Sequence, residues 1–103
     1  MSTGGPSGEL RTVVEAPSFS ECVRALAWSV RRLDEVLEDL EWRLAHDPLL
    51  YSFRVGERRT RLTFQDAPEG TLRVIFHLDR DSVVLTWIEM ADQTPPLVDD
   101  FPY

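Results

Sequence analysis

Three arginines and a histidine, Arg59, Arg61, Arg73 and His77, are the residues of this 103-residue chain whose types and spacing best suit chemistry. In the stretch Arg58 to Phe64, alternation puts Thr60, Leu62 and Phe64 on one face and Arg59, Arg61 and Thr63 on the other. In Leu72 to Leu78 the apolar Leu72, Val74, Phe76 and Leu78 face one way, and Arg73, Ile75, His77 and Asp79 the other. Two such strands lying antiparallel bring side chains on a shared face within about 4.5–8 Å. Guanidinium forks bind phosphate or carboxylate through paired hydrogen bonds and stabilise a developing phosphorane, while imidazole moves a proton near neutral pH. The expected catalytic set is Arg73, His77 and Arg61, and the expected ligand-binding set is Arg59, Arg61 and Arg73. The rival reading is a solvated network in which these arginines pair with Glu57, Asp66, Asp79 or Glu89.

Other chemistries find less support. His46 and His77 are the two histidines, their spacing suits no metal, and no glycine-rich phosphate loop is present, so no metal and no cofactor are expected. Cys22 stands alone and reads as a buried structural thiol rather than a nucleophile. Glu35, Glu38, Asp39 and Glu41 read as a solvated helix face, or as a docking surface for a basic partner. All 11 basic residues are arginine, against 18 acids, and the net charge of −7 argues against sequence-blind binding to nucleic acid. No apolar run approaches the ~20 residues of a membrane span, and the first eight residues lack the pattern of a secretory signal. A cytoplasmic location is the expectation.

The elements that must position these residues follow from periodicity. Residues 1–8 read as a disordered tail, 9–91 as a single domain, and 92–103 as a proline-rich acidic tail that can dock Phe101 and Tyr103. Leu10 to Ala16 reads as a first strand. Ser18 and Glu21 have the spacing of a capping box that opens a helix. Phe19, Val23, Leu26, Val30, Leu33, Leu37, Leu40 and Leu44 then make one apolar stripe. As a single helix this stretch would be about 40 Å long, overhanging a globule about 30 Å across and demanding a second copy. Broken near Trp28 to Arg32, it becomes a helical hairpin. Leu49 to Val55 reads as strand or extended loop, Gly56-Glu57 as a turn, and Ser82 to Met90 as the last strand. The expected fold class is α+β: an N-terminal strand, then a helical hairpin (or one long helix) packed on a mainly antiparallel meander sheet. The helical stripe should pack on Leu72, Val74, Phe76, Val83, Leu85 and Trp87, leaving an open face with the polar alternates of the middle strands.

This order resembles the RelE/ParE toxin superfamily of toxin–antitoxin modules. The residues that carry the resemblance are Ala16-Pro17-Ser18-Phe19, Leu44-Ala45-His46-Asp47-Pro48, Arg58-Arg59-Thr60-Arg61-Leu62, Leu72-Arg73-Val74-Ile75-Phe76-His77-Leu78 and Ser82-Val83-Val84-Leu85-Thr86-Trp87-Ile88. Arg73 matches the family's recurrent strand arginine, and Arg59 and Arg61 its preceding basic strand. After the last strand the family's ribonucleases carry a base or cation and a late tyrosine, where this chain reads Met90-Ala91-Asp92-Gln93-Thr94-Pro95. The resemblance implies a RelE/ParE-like fold and a toxin with a role in plasmid stabilisation, acting as an RNA-cleaving endoribonuclease or an inhibitor of translation or replication. It also implies a cognate antitoxin as partner and ribosome, RNA or gyrase as target, while a homodimer is the assembly that an unbroken helix would require. A function of another class remains alongside it: a non-enzymatic acidic protein-binding module, such as an immunity protein or small chaperone.

Overall fold

The apolar stripe is shared by two helices rather than one. In a computed structural model, which describes residues 10–56 and 59–91, α1 spans Pro17–Leu26 and α2 spans Leu33–His46. Neither glycine nor proline breaks the run; Arg32 does, in the left-handed conformation at φ 56°, ψ 36°, immediately before α2. Such a conformation costs an L-residue about 1–2 kcal/mol. Burial of Val30 and Leu33 on either side offsets it, as does the Arg32 ion pair with Glu35 at 3.2 Å. The Arg31 N–H also donates to Glu69 Oε2 at 3.1 Å, fixing the connection to the turn beyond residue 67. The hairpin alternative therefore holds, and the long helix does not form.

The capping box does not form either. Ala16 is the N-cap of α1 and Pro17 its first residue, whose missing N–H needs no partner there. The Ser18 hydroxyl instead donates to the Thr86 carbonyl at 2.6 Å, tying α1 to the sheet.

Five strands make one sheet: β1 (Thr12–Glu15), β2 (Ser52–Arg54), β3 (Thr60–Ala67), β4 (Gly70–Leu78) and β5 (Ser82–Met90), in the order β1-β5-β4-β3-β2. β1 pairs parallel to β5, and every other pairing is antiparallel. The helices cover one face. Phe19, Leu26, Val30, Leu33, Val36, Leu37, Leu40 and Leu44 pack there on Leu72, Val74, Phe76, Val83, Leu85 and Ile88. Among the described residues no helix is long and apolar enough to cross a membrane. The tails at 1–8 and 92–103 and the Glu57 half of the expected turn lie outside the described residues; Gly56 has φ 55°, as such a turn requires.

Two face assignments differ from expectation. The β4–β5 register shifts between Ile75 and Phe76: Phe76 pairs with Leu85 but Ile75 with Trp87, so Thr86 is the extra residue of a bulge. Beyond it the parity inverts. Ile88 enters the core at 1% exposure, and Trp87, expected inside, is 44% exposed on the other face. On β3 the inversion is complete. Thr63 pairs with Val74 and is fully buried under the helices, so Arg61 and Gln65 share the helix side while Leu62 and Phe64 face outward. The open face is therefore apolar where polar residues were expected. Trp28 and Trp42, off the stripe, are exposed as well.

Leu40 and Trp42 provide a direct check, because they lie two residues apart on α2 with opposite burial. Leu40→Ala should lower unfolding free energy by about 2–5 kcal/mol. Trp42→Ala, at an exposed position, should cost less than about 1 kcal/mol in the same urea titration.

Candidate functional site on the open sheet face

Strand register aligns side chains in rows across the open face. Phe53 of β2 pairs with Leu62 of β3, Leu62 with Ile75 of β4, and Ile75 with Trp87 of β5. Four apolar side chains thus form one row across four strands, about 14 Å long at ~4.8 Å per strand. Phe53 and Trp87, its ends, are exposed, and Leu62 and Ile75 between them are half-buried. At the Trp87 end the row meets a cleft of about 410 Å³, lined by Cys22, Ala25 and Leu26 from α1 and by Trp87, Ile88 and Met90 from β5. Cys22 is half-buried there rather than sealed in the core.

Charged residues border the row on each side. On one side Arg73 stands between Phe64 and Glu89 in register. Its Nε donates to Glu89 Oε2 at 2.9 Å, and its Nη2 lies 2.7 Å from the same oxygen. Burial pushes the Glu89 carboxyl up, but hydrogen bonds from Arg73 and Trp87 and the Arg73 charge outweigh it and hold the group below its ordinary value. On the other side His77 stands between Thr60 and Val84. Its Nε2 lies 3.7 Å from Asp79 Oδ1, and the same oxygen accepts from Arg59 Nη1 at 2.9 Å.

The four residues expected to act together therefore separate into three places. Arg59 and His77 share Asp79. Arg73 is four strand residues from His77, about 13 Å away along the strand, with the Ile75 row between them. Arg61 is on the helix side of the sheet, where its Nε donates to Ser52 Oγ at 2.8 Å and its Nη2 to the Ser52 carbonyl at 3.0 Å. The cause is the inward turn of Thr63, which sends its odd-numbered neighbour to the same side. Two of the anticipated ion pairs, Arg59–Asp79 and Arg73–Glu89, are present. Sequence reasoning missed the apolar row; the signal was the lone Ile75 among the polar alternates of β4.

Among the described residues no group of three or more histidine, cysteine or acidic side chains is arranged to hold a metal ion. The arrangement offers an apolar strip for a side-chain ridge or stacked rings, an arginine at one border, and an imidazole beside a carboxylate at the other. On the helix side, burial first, and then the neighbouring Glu15 carboxyl, raise the Glu41 pKa.

Stability should report the Arg73–Glu89 pair through pH. The depressed folded pKa of Glu89 means that its contribution is present above the unfolded carboxylate value and is lost as pH falls through the folded one. Wild type should exceed Glu89→Gln in stability at pH 7, and the gap should close below about pH 4, the ordinary carboxylate range. Paired urea titrations across pH measure this; a gap independent of pH would remove the charge pair as its origin.

No protein-family model matches the chain, and no curated protein matches it in sequence. A solved structure does match. A chain of the toxin-antitoxin complex RelBE2 from Mycobacterium tuberculosis superimposes with a TM-score of 0.63 at 21% identity, covering 81% of this chain and 93% of that one. The resemblance read from the sequence is borne out at the level of fold: two helices on a five-stranded mixed sheet, RelE-like in architecture.

Proposed function

We propose that this chain is the toxin of a toxin–antitoxin pair, and that its open sheet face meets the target when free and the antitoxin when neutralised. The observation that carries the reading is the Phe53–Leu62–Ile75–Trp87 row on the face of a RelE-like sheet that no described element covers. Soluble domains rarely leave a contiguous apolar patch bare unless something binds it. The bordering charges supply orientation. His77 is the group suited to proton transfer, with the Asp79 carboxylate 3.7 Å from its Nε2. Arg73, preorganised by Glu89, presents a fixed cation at the opposite border. An RNA-cleaving activity would use these two residues, with Arg61 absent from the set.

One observation favours a second reading. Arg59 and Arg73 are each matched by a carboxylate, so the face is close to neutral and is selective by apolar shape rather than by attraction for phosphate. A protein that binds another protein, without cleavage, has such a face.

Induced expression of wild type beside His77→Ala, Arg73→Ala and Trp87→Ala, with growth and RNA integrity followed together, separates the readings. A ribonuclease toxin arrests growth with fragmented RNA, and His77→Ala relieves both. A toxin with a protein target arrests growth with intact RNA, and Trp87→Ala relieves the arrest. Normal growth with all four proteins would reject the toxin reading and leave the binding module.

A further inference from the structure

Two guanidiniums away from the open face stand side by side with no carboxylate paired to either among the described residues. Arg54 of β2 and Arg61 of β3 are direct cross-strand partners on the helix side of the sheet. Like charges placed so oppose pairing. Among the described residues neither joins an ion pair, and the Arg54 side chain makes no hydrogen bond. Arg61 is nonetheless held in place. Ser52, buried, donates to the Pro48 carbonyl at 2.8 Å and receives two of the five N–H groups of Arg61, leaving the rest of the fork unspent.

The chain beside this pair is apolar and exposed at Leu49, Leu50 and Tyr51. Tyr51 has φ 61°, unusual for an aromatic residue, and Thr63 Oγ1 donates to its carbonyl at 2.8 Å, which holds the strained turn and its exposed ring. Exposed aromatics next to a preorganised arginine are the composition of an interface centre.

We propose that this edge docks an acidic segment of a partner protein, whose carboxylate bridges Arg54 and Arg61 and whose apolar side chains lie on Leu49, Leu50 and Tyr51. The planar carboxylate matches the guanidinium fork and removes the repulsion across the strand pair. A protein segment suits the site better than RNA. The patch offers two cations beside three apolar side chains, and a polyanion extending past a Debye length of about 8–10 Å meets a chain of net charge −7. The inference does not depend on the toxin reading, since the open face plays no part in it.

The test uses the full chain, 15N-labelled, and three probes: a twelve-residue peptide of alternating leucine and aspartate, the same peptide with asparagine for aspartate, and a twelve-nucleotide oligouridylate. The acidic peptide should shift the amides of residues 49–54 and 60–62 and the Nε–H of Arg61 along a saturable curve. The asparagine peptide should bind at least tenfold more weakly. Arg54→Gln, which removes no side-chain hydrogen bond or ion pair among the described residues, should also weaken the acidic peptide at least tenfold, while Arg31→Gln at the other end of the sheet should leave it unchanged. Equal affinity for the two peptides, indifference to Arg54→Gln, absence of shifts at these residues, or tighter binding of the oligouridylate would each overturn the proposal.

Discussion

Arg43 joins three parts of the molecule that would otherwise move separately. From the last turn of α2 its guanidinium donates to the Leu50 carbonyl, to Thr63 Oγ1 at 3.2 Å, to the Phe64 carbonyl at 2.8 Å and to Gln65 Oε1 at 3.2 Å. Burial lowers its pKa, and among the described residues no carboxylate compensates; hydrogen bonds alone keep the charge acceptable. Because Thr63 passes the network on to the Tyr51 carbonyl, it satisfies its hydroxyl while facing the helices. Strand parity does the rest. With Thr63 inward, Leu62 and Phe64 must face outward, and Arg61 must lie on the side of Ser52. Both the apolar row and the basic edge descend from this one buried polar group.

The distribution of charge gives the two surfaces different characters. On the open face each arginine stands beside an acid, so long-range attraction is weak and shape decides what binds. At the β2 edge Arg54 and Arg61 are direct cross-strand neighbours with no ion pair among the described residues, so an anion there would be held by local charge. The β2 edge thus differs in charge from the open face of the same sheet. A local pair of this kind differs from the broad basic surface by which a nucleic-acid binder recruits its ligand.

The α+β class, the element order and most of the core were legible because apolar spacing survives folding. Phe19, Leu26, Leu37, Leu40 and Leu44 are buried as the stripe requires, as are Leu72, Val74 and Phe76. The helix break was not legible from breakers, since Arg32 carries it and the three-four spacing runs straight through. Two faces were misread for reasons that periodicity does not contain. A bulge at Thr86 changed the parity of β5, and a threonine rather than a leucine pointed inward on β3 because Arg43, twenty residues away in sequence, supplies its hydrogen bond. For the site, the residue types were visible and their convergence was not. Ile75 and Trp87 become neighbours only once the register between two strands is set.

The parallel pairing of β1 with β5 reverses the order of assembly relative to the order of synthesis. Each of its pairs, from Thr12↔Ser82 to Glu15↔Leu85, joins residues 70 positions apart. Closing such a loop costs about 4 kcal/mol in chain entropy, whereas β3 and β4 meet across a tight turn. The first strand to leave the ribosome is therefore left without a partner until the last has followed it. The anchors of α1 share that delay, since Ser18 binds the Thr86 carbonyl and the Ala16 amide binds that of Leu85. The cleft beside Trp87, lined by both α1 and β5, therefore exists only once β5 has been translated and has met α1.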